Sequence, residues 1–265
     1  MKLFGYICEL LLTFFLIIQR FFLRFCLHFI EPKTDKLLKM YLLLDHETRA
    51  SFIYAASQNL FGGLHPKNVF NYRVEFFEEH VDENEVVIDI ACGTGAILNK
   101  LSDKIKQGIG FEKFPPNLEL CRINMKANLE FIEADIFTFD YENFQKRTGY
   151  TCAIFSHILE HIEEPAKLLN KVNAHKVLVC VPSQENWLAQ LKIQLYLPYL
   201  TDRTHFREYT RKMLMQELEE AGYKVDNIGF NAEGEIVCAA IKRGSKVEVR
   251  VDKVEEVQGS GVAGR

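Results

Sequence analysis

The stretch Val86-Val87-Ile88-Asp89-Ile90-Ala91-Cys92-Gly93-Thr94-Gly95-Ala96 constrains this chain more than any other. Its apolar, β-branched start reads as a strand buried on both faces of a parallel sheet. The run carries one acid, Asp89, and a glycine-rich turn then opens a helix at Ala96. Gly93 and Gly95 are expected at positive φ, where backbone N–H groups can approach a ligand closely. A strand, a glycine turn and a helix N-terminus form a nucleotide-type site. The dinucleotide fingerprint needs a small third residue for helix–sheet packing, and counting from Gly93 that place holds Leu98. A carboxylate at Asp89 would repel a pyrophosphate and suits a ligand carrying an ammonium group.

S-adenosylmethionine (SAM) has such an ammonium, a sulfonium and an adenosine, and no phosphate. The stretch resembles motif I of class I SAM-dependent methyltransferases, D-x-G-x-G-x-G, with Ala91 in place of the first glycine. That substitution fits a negative φ at Ala91. The resemblance implies a Rossmann-like, seven-stranded methyltransferase α/β sheet with helices on both faces. It implies SAM as cofactor and S-adenosylhomocysteine as product, with no metal expected.

The chain after motif I keeps the same order. A second strand over 108–111 ends at Glu112, 17 residues beyond Gly95, where an acid accepts hydrogen bonds from both ribose hydroxyls. Pro115 is placed to start the next helix. A third strand over 129–132 precedes Glu133-Ala134-Asp135-Ile136. In the family an acid here meets the adenine amino group and the next residue's backbone meets the ring. Asp135 and Ile136 match, and Glu133 is the alternative acid. A fourth strand over 151–155 runs into Ser156-His157-Ile158-Leu159-Glu160-His161. This segment resembles the L-E-H segment of the small-molecule branch, which includes ubiquinone-biosynthesis-type O-methyltransferases. Ser156 is assigned to the cofactor site.

His157 and His161 are four apart, so a helical turn would put them on one face. Each is a candidate general base or substrate orienter, and a capping or supporting role for His161 is equally open. They do not make a metal site by themselves, because no third ligand is nearby in the sequence. Before motif I, the segment from Leu64 to Arg73 resembles the lead-in of the same branch, in which an arginine meets the SAM carboxylate. Arg73 is the candidate, against an exposed helical arginine.

After a fifth strand over 175–181 comes an apolar, aromatic stretch, 187–200, with the only tryptophan, Trp187. The family builds its substrate cover here, so 183–207 is assigned as a lid. Asp202-Arg203-Thr204-His205-Phe206-Arg207-Glu208-Tyr209-Thr210 resembles the branch's D-x-x-H-x-R-x-[FY]-T stretch. His205 is the third catalytic candidate. His205 and Arg207 either face the substrate or tie the lid to the sheet. Thr210 is placed as an N-cap and Gly222 as a helix stop. Two final strands close around Ala232-Glu233-Gly234, an antiparallel pair typical of the family.

The organisation read from the sequence is therefore an apolar helix over 1–31, a helical lead-in over 32–80, the methyltransferase domain over 81–243 and a tail over 244–265. In and flanking residues 3–30, Lys2, Glu9, Thr13, Arg20, Arg24 and Glu31 fall within about 60° of one another around a helix. A helix lying on a membrane surface suits this stripe, with Arg20 and Arg24 facing anionic headgroups. A membrane span, a signal peptide and a helix packed on protein are the other readings. Seven scattered cysteines without a C-x-x-C pair suit reduced thiols in the cytosol.

The expected activity is O-methylation of a small-molecule, lipid or lipid-linked glycan acceptor at the cytosolic face of a membrane. A soluble metabolite, an N-acceptor or a non-catalytic SAM-binding scaffold are the alternatives. A nucleic-acid acceptor is disfavoured by the net charge of −4 and the lack of an N-P-P-Y-type segment. The oligomeric state is left open.

Overall fold

A computed structural model describes residues 14, 17–19, 21, 22, 25, 35–62, 72–123 and 125–244. Most of the amphipathic stretch 3–30, the segment 63–71 that holds most of the lead-in before Arg73, and the tail beyond Gly244 lie outside the described residues. Among the described residues no helix is long and apolar enough to cross a membrane.

The lead-in forms α1 (Asp35–Leu60) and α2 (Arg73–His80), and Gly62 follows the first at φ 59°. Alternation then begins: β1 (Val86–Ile90), α3 (Ala96–Leu101), β2 (Gln107–Glu112), α4 (Pro115–Ile123), β3 (Leu129–Glu133), α5 (Tyr141–Thr148) and β4 (Cys152–Ser156). A single 3-10 turn, Leu159–His161, leads to α6 (Pro165–Val172), β5 (Lys176–Val181), α7 (Trp187–Gln194), α8 (Arg211–Glu220), β6 (Tyr223–Phe230) and β7 (Ile236–Lys242). Pro115 opens α4 as expected, since it needs no N–H partner there. Thr210 caps α8 by accepting the Met213 N–H at 3.1 Å, and Gly222 ends it at φ 78°.

The strands form one sheet in the order β3-β2-β1-β4-β5-β7-β6, parallel except for β7. β1 and β5 are buried along their whole length, which is why, Asp89 and Lys176 apart, their residues are apolar. Side chains alternate between two cores. Ile88, Ile90, Ala153 and Phe155 pack with α5, α6 and α8. Val87, Cys152 and Ile154 pack with α2, α3 and α4, and Val74 and Phe77 of α2 join them. The five described cysteines are buried and free.

Strand order reverses between β1 and β4, which leaves a crevice at their carboxyl ends. Alternation places Asp89 on the same face as Val87, the face that carries α2 and therefore Arg73.

Candidate functional site

A cavity of about 250 Å³ opens at this crevice, lined by Arg73, Asp89, Ala91, Cys92, Gly93, Thr94, Ala96, Ile97, Asn117 and Ser156. The sequence had placed Arg73, Asp89, Ala91, Gly93 and Ser156 here, and the fold brings all five together. Asn117 was not anticipated. Its signal was present: a polar residue in the first turn of the helix that follows Glu112, at the carboxyl end of β2.

The turn is shaped by backbone conformation. Gly93 and Gly95 stand at φ 56° and 71°. A Cβ on Gly95 would come within 2.6 Å of the Phe131 ring, whereas one on Gly93 would meet nothing within 4 Å. Gly95 is thus needed for packing, and Gly93 leaves the cavity side open. The Cys121 thiol of α4 donates to the Gly93 carbonyl at 3.2 Å, and Cys92 N–H donates to Phe111 O at 2.9 Å. The turn is therefore tied to two neighbouring elements.

Ala91 corrects the expectation of a negative φ. It stands at φ 59°, in the left-handed region that costs an L-residue about 1–2 kcal/mol. The bonds from Cys92 N–H to Phe111 O and from Gly95 N–H to Cys92 O hold the turn in this conformation. Ala91→Gly is accordingly expected to stabilise the fold by up to about 1 kcal/mol, the strain relief less the entropy of glycine. Urea unfolding checks this, and a clear loss of stability would refute the strain.

Asp89 is buried, and its Oδ2 has no hydrogen-bond partner. Burial pushes its carboxyl up to about 7; the Arg73 charge opposes the rise and the Glu112 charge adds to it. An orphaned acid beside open space is what a cationic ligand group would satisfy. Ser156 Oγ is likewise buried without a partner.

Glu112 is largely buried, and its Oε1 accepts Lys113 N–H and Phe114 N–H, each at 2.8 Å. These bonds turn the chain sharply after β2 and fix the carboxylate. Asp135 is occupied on both oxygens: Oδ1 accepts Phe137 N–H at 2.9 Å and Oδ2 pairs with Lys113 Nζ at 2.7 Å. The Lys113 bond, then the Phe137 bond, hold its carboxyl below the usual range. Ile136 is buried in the core beside it. Glu112 and Asp135 do not line the 250 Å³ cavity, but they lie at the carboxyl ends of the adjoining strands.

The three histidines are distributed differently from the expectation. His157 and His161 do not share a helical face. His157 is left-handed at φ 54°, and the turn after it is 3-10, so the 3.6-residue spacing does not apply. His157 lies between two carboxylates, with Nδ1 at 3.2 Å from Glu160 Oε1 and Nε2 at 3.1 Å from Glu235 Oε1. Burial alone would lower its pKa, but the bonds to Glu160 and Glu235 outweigh this and raise it. Both ring nitrogens face carboxylates, so neither is open toward an acceptor for the base role considered from the sequence.

His161 and His205 meet instead, edge to face at 4.6 Å between centroids. Burial holds His205 below the ordinary imidazole value; Glu160 opposes this and His161 reinforces it. His205 arrives on the return limb of the lid, pinned by Phe206 N–H donating to Glu160 O at 2.8 Å. Arg207 resolves as a tie: Nη1 pairs with Glu217 Oε1 and Nη2 donates to Glu163 O, both at 2.6 Å. The lid's outward limb is open. Asn186 caps α7, yet Trp187 is 76% exposed and Tyr196 94%.

Comparison with known proteins agrees with this architecture. A family model described as a methyltransferase domain matches residues 67–228. No curated protein matches the chain significantly. Among solved structures, the magnesium protoporphyrin IX methyltransferase of Synechocystis PCC 6803 with bound SAH is similar at TM-score 0.53 and 14% identity, covering 79% of this chain and 100% of that one. A complex of the Haloferax volcanii Trm112 methyltransferase activator with a putative methyltransferase matches at TM-score 0.53 and 13% identity, over 66% of this chain and 91% of that one. YcgJ of Bacillus subtilis matches at TM-score 0.50 and 13% identity, over 66% and 100%. At these identities the neighbours establish the fold, and the family match establishes the activity class: the chain belongs to the class I SAM-dependent methyltransferases.

Proposed function

We propose that the chain methylates a hydroxyl of a small-molecule, lipid or lipid-linked glycan acceptor, working at the cytosolic face of a membrane. The observation that carries the SAM site is the buried, unpartnered Asp89 Oδ2 beside the cavity at the Gly93–Gly95 turn. Asp89 would hold the ammonium of SAM and Arg73 its carboxylate. Glu112 would take the ribose hydroxyls. Asp135, with the Ile136 backbone, would take the adenine. Ala91, Gly93 and Ser156 would line the path between them. SAM supplies a methyl carbon on a sulfonium, a leaving group that needs no protonation. The protein's share is then positioning. An acceptor hydroxyl must also lose its proton, and of the three histidines only His161 and His205 have nitrogens not held between two carboxylates.

The membrane reading rests on exposed apolar side chains. Helical residues Phe14, Ile18, Phe21 and Phe25 recur at the spacing of one face and are exposed, as are Phe52 and Tyr54 of α1 and Trp187 and Tyr196 of the lid. Incubating the full-length protein with labelled SAM and a membrane extract tests the whole proposal. The expected product is a base-stable methyl ether in the lipid phase. Label confined to water-soluble products would favour a soluble metabolite, and label on nitrogen would favour an N-acceptor. SAM binding without any transfer would favour a scaffold. Full-length protein left in the supernatant by anionic vesicles would end the membrane reading.

A further inference from the structure

Two thiols meet behind the glycine turn, although the sequence keeps them 29 residues apart. Cys92 precedes Gly93 and lines the cavity, and Cys121 stands in the last turn of α4. Cys92 Sγ lies 4.0 Å from Gly93 O, and Cys121 Sγ lies 3.2 Å from the same oxygen. The two thiols also hydrogen-bond to each other. Two glycines make room for them. A Cβ on Gly110 of β2 would stand 2.6 Å from Cys92 Sγ, and one on Gly95 would stand 3.1 Å from Cys121 Sγ. The Phe131 ring would be 2.6 Å from either Cβ, so the sulfurs fill space that no side chain at these glycines could share with them.

A buried cysteine is usually inert packing, and Cys152, Cys180 and Cys238, each fully buried in a strand, read that way. The pair at the turn differs in two respects. It has an opening, because Cys92 alone of the five described cysteines lines the cavity. It also has unequal acidities. The hydrogen bond from Cys92 holds the Cys121 thiol below its ordinary value, although burial opposes this. The same bond pushes the Cys92 thiol up, and burial adds to the rise. A more accessible sulfur thus stands against a more acidic one.

We propose that Cys92 and Cys121 are an oxidation site, at which a peroxide makes a disulfide that weakens SAM binding. A peroxide entering the cavity meets Cys92, which is 9% exposed, before the fully buried Cys121. The Cys92 sulfur attacks one oxygen of hydrogen peroxide and the O–O bond breaks. Cys92 becomes a sulfenic acid, and its proton leaves with the other oxygen as water. Cys121 then attacks Cys92 Sγ as the thiolate. The S–S bond forms, the S–O bond breaks, and the departing hydroxide takes up the Cys121 proton as a second water. The thiols lose two electrons and the peroxide gains them. The first step is the slower one, because Cys92 is the weaker acid. The product alters the turn in two ways. Cys121 has no proton left to donate to Gly93 O. The sulfurs must also close to about 2.05 Å, which pulls on Cys92 between Ala91 and Gly93, both of which line the cavity. The effect on SAM rests on the reading of this cavity as the SAM site; the disulfide itself does not.

The test treats reduced full-length protein with hydrogen peroxide, blocks the remaining thiols with iodoacetamide and maps linked peptides by mass spectrometry. Calorimetry reads SAM affinity before oxidation, after it, and after dithiothreitol. A Cys92–Cys121 linked peptide is expected, with SAM affinity weakened about 10-fold, the loss of roughly one hydrogen bond, and restored by dithiothreitol. Saturating SAM should slow the oxidation, because it fills the way to Cys92. Cys121→Ser keeps a donor toward Gly93 O but cannot form the bond, so peroxide should leave its SAM affinity where it was. Where Cys121→Ser does not fold, Cys92→Ser is judged by the same criterion. A reduced chain that binds SAM but yields no Cys92–Cys121 peptide overturns the proposal. So does linked protein with undiminished SAM affinity, or an equal loss of affinity in Cys121→Ser. A chain that forms the disulfide but binds no SAM even when reduced supports the thiol pair and overturns the reading of the cavity.

Discussion

Asp89→Asn is expected to make the ligand-free protein more stable and to weaken SAM binding at least about 30-fold, the lower end for removing one partner of a buried charge pair. The two effects share a cause. Asp89 is buried beside the cavity without a partner for Oδ2, and its carboxyl titrates near 7 instead of 3.8. Because the folded-state pKa is raised, the folded protein holds an extra proton between about pH 4 and pH 7. Its contribution to stability is greatest below about pH 4, falls as the pH rises through 7, and is level above that. The cost at alkaline pH is up to about 4 kcal/mol, from the roughly three-unit shift. Asparagine removes the charge and with it this cost. Urea unfolding at several pH values should show wild-type stability falling between about pH 4 and pH 7 and a flatter profile for the variant. SAM affinity of the wild type should rise with pH across the same range, because an ammonium pairs with the ionised form. A variant that loses stability at pH 8, or binds SAM as tightly as wild type, would sink the assignment of Asp89.

Gly95→Ala should destabilise the fold by about 3 kcal/mol, combining a left-handed backbone with an overpacked core. The new Cβ would stand 2.6 Å from two atoms of the buried Phe131 ring and 3.1 Å from Cys121 Sγ. Neither neighbour is a flexible chain end. For a chain of this size the melting temperature should fall by roughly 10 °C. Gly93→Ala is the control. It pays only for its backbone conformation, about 1 kcal/mol, since its Cβ meets nothing. Its methyl group would instead occupy the open side of the cavity, so its main effect should be on SAM affinity. Equal melting temperatures for the two variants would refute this division between packing and binding.

The exposed lid aromatics show where local patterning stopped being informative. The apolar composition of 187–200 is compatible both with core packing and with an outward surface. Trp187 is exposed on α7, which buries only Ala189, and Tyr196 is exposed just beyond that helix. His157 and His161 show another limit. Their spacing carries meaning only in an α-helix, and a left-handed residue at the end of β4 broke that premise. Ala91 shows a third: a residue's identity suggests its φ, but the hydrogen bonds of its neighbours impose it.

The sequence by itself determined the class of fold and pointed to Arg73, Asp89, Ala91, Gly93 and Ser156, which the fold brings to one cavity. A doubly wound sheet buries apolar runs of fixed type and brings successive strand ends to one edge. The places of Asp89, Glu112, Asp135 and Ser156 at or just beyond the ends of β1 to β4 were therefore legible. What only the tertiary structure decided was which side chains meet across elements and how each is partnered. The approach of Glu160 and His161 to His205 depends on how the lid folds back over β4. The raised pKa of His157 depends on a second carboxylate, Glu235, just before β7. Such contacts depend on burial and angle between distant segments, and neither periodicity nor spacing along the chain encodes them.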